Sequence, residues 1–519
     1  MTGETLQPGQ ADLPSAKSTA SYWHREPSKT LLGHRTTRDL PPTADIVVVG
    51  SGITGAFAAK ELLERAGAAG EGKRVVLLEA REVCWGATGR NGGHCQPVAY
   101  NPNTAIATFE LANYAHLRDL VASNAIPCDW VSLRGVHALL TPDLVDAARK
   151  QIAALPPRFA PLARLVTDAE ELARLRIPDA VGAVVQEEAA SVWPYKLVAW
   201  IFEDLLRRFG VDKVEDDNAL SGRGTEQGAV SLNIQTSTPV TRLQHLPPTT
   251  PSSTPSWILH TPRGQIATAQ VLLASNAYTS RLLPRFADLV IPVRGQVASL
   301  FPPRPRAELG RSYVFMASSD AAKGEPNQDD YLIQRPGPGL EMILGGGRAR
   351  GTARGVGISD DDEVDAIVAR YLRRAGAGNL DLVSGTAAAV GKGQTQMQDE
   401  ENSAKNSKKE LEASHEWTGI MAFSRDGRPW VGQVPAGTVL GGGEGLWVCA
   451  GYTGHGMPQA ALCGRAVAGM MMVGSGGEEK EYDEEEKLPA EFLVSEERAE
   501  KARALPSIKE MDDLDMFLL

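Results

Sequence analysis

The pattern of apolar and polar positions predicts a strand, a tight turn and a helix near the start of the chain. Residues 46–49 form a β-branched run that ends at closely spaced glycines, and residues 56–67 continue in a helical pattern. A second apolar run at 73–80 predicts another strand. The arrangement recurs late in the chain, where the apolar run 446–450 is followed by a glycine loop and by the helical pattern of 459–471. Strands that alternate with helices indicate an α/β fold with a parallel sheet.

The first turn has the features of a pyrophosphate-binding turn. In the sequence DIVVVGSGITG, Gly50 permits the turn, Gly52 lets the backbone approach the phosphates and Gly55 lets the helix pack on the strand. The N-terminus of the helix adds free N–H groups and a positive dipole end. Glu79 ends the second strand, where a carboxylate accepts hydrogen bonds from ribose hydroxyls. The combination predicts an adenine dinucleotide site, whereas a glycine turn with no ligand is the competing interpretation.

A second loop of small residues distinguishes between dinucleotides. The segment WGATGRNGGHC, residues 85–95, starts a few residues after Glu79. With this loop the chain resembles the FAD-dependent D-amino acid oxidase and sarcosine oxidase superfamily, and within it the glycine oxidase and γ-glutamylputrescine oxidase type. Later segments extend the resemblance from Asp45 to about Met472: LNIQTSTPVTRL at 232–243, VLLASNAY at 271–278, WTGIMAFSRDGRPW at 417–430 and GLWVCAGYTGHGM at 445–457.

The resemblance implies that FAD is the cofactor and assigns its contacts to the glycine loops and to the ends of the strands. The residues so assigned are Gly50, Ser51, Gly52, Ile53, Thr54, Gly55, Glu79, Ala80, Arg81, Ala87, Thr88, Arg90, Asn91, Gly92, Gly93, His94, Val240, Ser275, Asn276, Gly427, Gly451, Gly454, His455, Gly456 and Met457. Related enzymes attach FAD through a cysteine before the closing segment. Here His415, Glu416, Trp417 and Thr418 occupy that neighbourhood, so non-covalent FAD is expected, although His415 leaves one route to attachment.

The implied reaction is oxidation of the C–N bond of an amine or amino acid. The flavin accepts the hydride at N5, and oxygen is the expected acceptor, with hydrogen peroxide as product. Arg294 is the candidate that pairs with a substrate carboxylate, and His455 is the candidate donor at the flavin; Tyr331 and Arg348 are weaker candidates. No general base is nominated. Two alternatives stay open: an FAD dehydrogenase of the same fold with another electron acceptor, and a non-catalytic flavin-binding regulatory protein.

Breaks in composition predict the domain organisation. The expected fold is a discontinuous Rossmann-like FAD-binding domain of the α/β class, with a second α+β substrate domain on a mixed or antiparallel sheet. The FAD domain is expected at 44–128, 191–290 and 415–473, and the substrate domain at 129–190 and 291–414, with a polar insertion at 393–413. Residues 1–43 read as an N-terminal arm and 474–519 as a charged C-terminal tail. Further polar insertions are expected at 212–230 and 245–256.

Charge and cysteine content restrict the classes of binding partner and the cellular compartment that are expected. With 53 basic and 64 acidic residues the formal charge is −11, which argues against nucleic acid or an anionic membrane as a partner. The five cysteines have no metal-ligand spacing, so no metal site is predicted, and their odd number suits a reducing compartment. No apolar stretch is long enough to span a membrane and no signal segment is evident, so a cytoplasmic location is expected. A small amine or amino acid is the expected substrate, and the oligomeric state is left open.

Overall fold

The computed structural model describes residues 6–211, 229–246, 256–382, 410–474 and 482–510. The predicted insertions at 212–230, 245–256 and 393–413 lie mostly outside these residues. The strands are β1 Thr43–Val49, β2 Arg74–Leu78, β3 His94–Cys95, β4 Val131–Leu139, β5 Ala163–Val166, β6 Gly182–Ser191, β7 Ser231–Gln235, β8 Arg242–His245, β9 Trp257–Thr261, β10 Gly264–Leu273, β11 Val290–Leu300, β12 Arg311–Ala317, β13 Gln328–Gln334, β14 Met342–Gly345, β15 Ala413–Ser424, β16 Trp430–Gln433 and β17 Leu446–Ala450. The helices are α1 Ile53–Ala69, α2 Thr104–Ser123, α3 Pro142–Ala153, α4 Ala169–Arg174, α5 Pro194–Phe209, α6 Thr279–Leu282, α7 Ala366–Asn379, α8 Ala460–Gly474 and α9 Glu496–Ala504.

The first sheet carries the predicted dinucleotide segments. Its strand order is β16-β17-β10-β1-β2-β7, and the strands from β17 to β7 are parallel. Val49 pairs with both Leu78 and Leu273, so β1, β2 and β10 end at one edge of the sheet. Residues that follow these strands therefore meet at the carboxyl edge, where open α/β sheets bind their ligands.

Two helices pack closely on one face of this sheet. α1 and α8 bury apolar side chains such as Phe57, Leu63 and Val467, each 0% exposed. A Cβ on Gly464 of α8 would lie 2.5 Å from the Thr54 carbonyl oxygen of α1, so the absence of a side chain permits this contact. The arrangement fixes the first turn of α1 beside the loop that precedes α8.

The second sheet is mixed. Its order is β15-β11-β14-β13-β12-β4-β6-β3, with β5 beside β6. Among the described residues its strand pairs are antiparallel, except for the parallel pair of β12 with β4. The expectation of an α/β fold with a second α+β unit on a mixed or antiparallel sheet is therefore confirmed. Along one row of this sheet His137, Val314, Tyr331 and Gly345 are paired neighbours, and they share the face that turns toward the first sheet.

Two predicted domain assignments need correction. β15, which starts at Ala413, pairs along β11 from Leu300 to Val290, so residues 415–424 belong to the second sheet and not to the first. β3 likewise pairs with β6 in the second sheet, although it lies within 44–128. Strand pairing depends on partners that are distant in sequence, so a break in composition does not locate it. The rest of the division remains a proposal.

The two ends of the chain pack on the body. In the N-terminal arm, Tyr22 and Trp23 are 2% and 0% exposed, and the Trp23 indole N–H donates to the Asn91 carbonyl oxygen at 2.6 Å. The prediction of a charged peripheral tail is wrong for residues 482–510, because Phe492 is fully buried there and Arg498 pairs with Asp426 at 2.8 Å. None of the helices in the described ranges combines the length and apolarity needed to cross a bilayer.

Candidate active site

A large cavity lies between the carboxyl edge of the first sheet and the face of the second sheet. Its volume is about 470 Å³, within the range of ligand and cofactor sites. Most of the residues predicted to bind FAD line it: Gly50, Ser51, Gly52, Ile53, Thr54, Glu79, Ala80, Arg81, Ala87, Thr88, Arg90, Asn91, Gly92, His94, Val240, Ser275, Asn276, Gly427, Gly454, His455, Gly456 and Met457. Gly55, Gly93 and Gly451 are not among the lining residues.

The turn between β1 and α1 has the geometry that a pyrophosphate requires. Gly50 has φ +108°, and a Cβ there would lie 2.6 Å from the Ala274 carbonyl oxygen. A Cβ on Gly55 would lie 2.0 Å from the Gly50 carbonyl oxygen, which explains the close packing of helix on strand. Gly52 is the N-cap of α1, and it has no side chain to cover the first N–H groups of the helix. The turn therefore fits a phosphate group at the helix N-terminus.

Glu79 follows β2 at the same edge and is held by three hydrogen bonds. The Ser51 N–H and hydroxyl donate to Oε2 at 3.0 and 2.5 Å, and the Arg81 N–H donates to Oε1 at 2.8 Å. The carboxylate is 9% exposed and lines the cavity. A carboxylate oxygen accepts more than one hydrogen bond, so both ribose hydroxyls of a dinucleotide could still donate to it.

The second glycine loop packs against the first. The Thr88 hydroxyl accepts from the Ile53 N–H at 3.1 Å, and the Asn91 side chain accepts from the Gly93 N–H at 2.8 Å. Gly93 has φ +73°, and a Cβ on it would lie 2.7 Å from the Trp23 ring of the N-terminal arm. The loop is thus held between α1 and the arm.

A buried ion triad links this loop to a distant segment. Asp361, 0% exposed, lies 2.9 Å from the Arg81 guanidinium and 3.0 Å from that of Arg90. Burial lowers the pKa of Arg90 to about 10, and Asp361 offsets only part of this effect. For Arg81, by contrast, Tyr278, the Asp361 carboxylate and Glu79 together outweigh burial, and the pKa lies above its usual value. The Arg90 guanidinium also donates to the Thr19 hydroxyl of the arm at 2.7 Å.

The closing segment brings an imidazole to the cavity. The Gly451 N–H donates to the Asn276 side chain at 3.1 Å, which joins two segments that the sequence assigns to the cofactor. His455 Nε2 lies 3.1 Å from Oε2 of Glu110, which is 1% exposed and also accepts from the Val98 N–H at 2.8 Å. Burial disfavours the protonated imidazole, but the Glu110 carboxylate outweighs it and raises the pKa of His455.

The second sheet supplies the opposite wall. Leu139, Met316 and Asp329 form a paired row beside that of His137, Val314 and Tyr331, as expected when alternate residues of a strand face one side. Arg348, just after β14, lines the cavity, and its guanidinium carbon lies 4.9 Å from the centre of the Phe423 ring. It also lies 3.3 Å from the Asp329 carboxylate. The weaker candidates Tyr331 and Arg348 are therefore at the cavity.

Arg294 does not line the cavity, so the prediction that it binds a substrate carboxylate is corrected. Its guanidinium pairs with Asp360 at 3.2 Å and with Glu363 at 3.3 Å. The next residue of β11 shows the reason: a Cβ on Gly295 would lie 2.9 Å from Met421, which lines the cavity. Neighbouring residues of a strand point to opposite faces, so Arg294 points away.

Sequence patterns missed several cavity residues or their supports. Glu110 and His137 had no motif around them, and Asp361 lies 280 residues from Arg81. A buried acid in an otherwise apolar helical pattern would have been the one signal for Glu110. The other contacts depend on strand pairing between distant segments.

The parallel sheet, the glycine turn and Glu79 define a protein of the dinucleotide-binding α/β class. A family model described as "DAO: FAD dependent oxidoreductase" matches residues 45–470. The chain belongs to this family of FAD-dependent oxidoreductases, which confirms the predicted cofactor and that the protein is an enzyme.

Similar proteins cover most of the chain. Gamma-glutamylputrescine oxidoreductase of Escherichia coli K12 is 23% identical over 470 residues, which are 86% of this chain and 87% of that protein. The structure of glycine oxidase from Geobacillus kaustophilus covers 88% of this chain and 99% of its own, with 20% identity and a TM-score of 0.57. L-Proline dehydrogenase from P. horikoshii covers 85% and 95%, with 17% identity and a TM-score of 0.55. The structural likenesses concern the fold alone.

Proposed function

We propose that the protein oxidises the C–N bond of an amine or amino acid to an imine, which water then converts to a carbonyl compound. The names of the similar proteins all refer to amine or amino acid chemistry, which supports this class of substrate. The main structural support for the proposal is that the cofactor loops line the same continuous cavity as the face of the second sheet that includes Tyr331 and Arg348. A substrate in that cavity would lie beside the cofactor.

The residues of the cavity have distinct roles in this proposal. When bound, FAD supplies the hydride acceptor, flavin N5. Glu79 and the N-terminus of α1 would hold its ribose and pyrophosphate. On the substrate side, Met421 and Phe423 supply an apolar wall that excludes water and favours the neutral, oxidisable form of the amine. Arg348 takes the place of Arg294 as the candidate partner of a substrate carboxylate. His455, whose pKa the Glu110 carboxylate raises, would donate a hydrogen bond from the closing segment.

Oxygen as the electron acceptor, with release of hydrogen peroxide, is part of this proposal. The alternative is a dehydrogenase of the same fold, and the similar structures include one protein named an oxidase and one named a dehydrogenase. We also propose a cytoplasmic location, since all five cysteines are free and buried.

We expect an amine or amino acid to bleach the flavin under anaerobic conditions. Purified protein should be mixed with panels of primary amines, secondary amines, N-methyl amino acids and γ-glutamyl polyamines, and the flavin absorbance followed. Readmitted air should restore the colour and yield one hydrogen peroxide per flavin. Reoxidation by dyes but not by air would favour the dehydrogenase. Reduction by hydroxy acids with no response to any amine would contradict the proposal.

Acid precipitation is expected to release the flavin into the supernatant. No cysteine occurs at 415–418, and His415 is not among the residues that line the cavity; its ring packs edge-on against Tyr22 at 5.5 Å. Absorbance of the pellet and the supernatant checks this. Colour that stays in the pellet of the wild type, but not of His415→Ala, would contradict non-covalent binding.

A further inference from the structure

Tyr100 lies in the cavity on the side of helix α3. It is 9% exposed and lines the cavity. It packs in a cluster with Leu139, Leu144 and Ala148, and Met316 packs against the same cluster. We call the space bounded by these side chains the Tyr100 subsite. The Tyr100 hydroxyl lies 2.7 Å from Nδ1 of His137.

The partners of His137 fix its tautomer. The Ala99 N–H donates to Oε1 of Gln186 at 2.9 Å, so the amide NH₂ group of Gln186 is the part that faces His137 Nε2, at 3.2 Å. The amide of Gln96 has its own NH₂ group 2.7 Å from the same ring nitrogen, and its oxygen accepts from the Ser312 hydroxyl at 2.6 Å. Two donors therefore point at Nε2, which must accept.

The direction of the Tyr100 hydrogen bond follows from this tautomer. Burial, with a smaller effect of the charge on His455, lowers the pKa of His137 to about 3, so the ring is neutral and carries one proton. That proton is on Nδ1, because Nε2 accepts. Nδ1–H thus donates to the Tyr100 oxygen, and the phenol proton must point elsewhere. Within the described ranges His137 is the one hydrogen-bond partner of the Tyr100 hydroxyl. The phenol proton is therefore available to a ligand in the cavity.

We propose that the Tyr100 subsite binds a neutral oxygen acceptor, such as an ether or carbonyl oxygen, on a part of the substrate other than the oxidised amine. This inference rests on the proposed function and narrows its substrate class. A distal ammonium group is rejected, since it would meet a donor in apolar surroundings. A distal carboxylate is disfavoured, because the four side chains that bound the subsite with Tyr100 are apolar and none of them offers a cation.

The first test compares matched amines on the FAD-loaded full chain. The probes are ω-methoxyalkylamines of increasing length, each paired with the n-alkylamine in which a methylene replaces the ether oxygen. In the wild type, the methoxy compound whose oxygen reaches Tyr100 should have a KM for flavin reduction about tenfold below that of its partner, as one neutral hydrogen bond implies. Tyr100→Phe should abolish this difference by raising the KM of the methoxy compound, with little change in kcat.

Tyr313→Phe is the matched control. Tyr313 is buried on β12 of the same sheet, but its hydroxyl donates to the Leu175 carbonyl oxygen and its ring belongs to the core on the other side of the sheet. The control should keep the preference for the ether oxygen. The proposal is wrong if no methoxy compound has a lower KM than its n-alkylamine partner. It is also wrong if Tyr100→Phe raises the KM of both members of a pair equally, or if Tyr313→Phe changes the KM values as Tyr100→Phe does.

A binding experiment separates the subsite from the proposed function. N-butylacetamide has a carbonyl oxygen and no oxidisable amine, and its binding can be followed through the flavin spectrum. We expect Tyr100→Phe to raise its Kd about tenfold. If no amine reduces the flavin but this difference persists, the proposed function fails and the subsite stands. No binding to the wild type, or equal binding to both proteins, would overturn the subsite.

A second variant covers the case in which Tyr100→Phe does not fold. Ala147 of α3 lines the cavity and is half-buried, so Ala147→Trp should narrow the space beside Tyr100 without changing the hydrogen bonds of His137. Ala147→Trp should raise the Kd of N-butylacetamide by a similar factor. Unchanged affinity in this variant would overturn the subsite.

Discussion

Replacing Glu79 by alanine is expected to weaken FAD binding by at least about 100-fold. The carboxylate lines the cavity at the end of β2 and is oriented by Ser51 and Arg81. Hydrogen bonds to a charged group are worth about 1.5–3 kcal/mol each, and two ribose hydroxyls would be lost. Each 1.4 kcal/mol is a factor of ten in affinity. Titration of apoprotein with FAD, followed by flavin fluorescence, measures the change.

A matched control separates loss of the ribose partner from a general effect of glutamate removal. Glu71 follows α1, is 36% exposed and pairs with Lys73 at 3.4 Å, away from the cavity lining. Glu71→Ala should bind FAD as the wild type does. Glu79→Gln, which keeps one carbonyl acceptor, should fall between wild type and Glu79→Ala. If Glu79→Ala retains flavin as tightly as Glu71→Ala, Glu79 is not a ribose ligand.

Replacing Asp361 by alanine is expected to lower the free energy of unfolding by about 3–5 kcal/mol, the usual cost of leaving a buried charge without its partner. Asp361 is 0% exposed, and the side chains of Arg81 and Arg90 are 7% and 1% exposed. Without the carboxylate, two guanidinium groups remain buried beside the cofactor site. Denaturant unfolding of the FAD-free protein, followed by far-ultraviolet circular dichroism, measures the loss.

The preceding residue offers the control. Asp360 has a side chain that is 53% exposed and pairs with Arg294 at 3.2 Å, so Asp360→Ala should cost less than about 1 kcal/mol. The two variants share the substitution and differ in burial. Equal losses of stability in both would show that the triad contributes no more than a surface ion pair.

Contacts that are local in sequence could be predicted well. The turn that holds Gly50, Gly52 and Gly55 is formed by consecutive residues of one strand and one helix. Glu79 follows the next strand, and parallel pairing of neighbouring strands brings it to the same edge. Hydrophobic period and glycine spacing record these features directly, because they depend on backbone geometry over a few residues. The fold class and the dinucleotide site follow from them, whereas the choice of FAD came from the family resemblance.

The substrate side of the cavity was harder to predict. Arg294 and Arg348 are both arginines near predicted strands, and the sequence favoured the one that does not line the cavity. Their roles depend on the face of the sheet to which each side chain points, and a difference of one residue reverses that face. The sequence shows that side chains of a strand alternate between two faces. The pairing with partner strands decides which of the two sets faces the cavity.

The sequence by itself thus determined the α/β class, the dinucleotide turn and the acid that accompanies it, since each is encoded within a short stretch. The tertiary structure decided how Asp361 joins Arg81 to Arg90, how Glu110 raises the pKa of His455, and that the Tyr100 oxygen accepts from His137. Each of these depends on burial and on hydrogen-bond partners supplied by distant segments. Burial changes the free energy of a charge or a proton, and it is a property of the packed molecule and not of the local sequence.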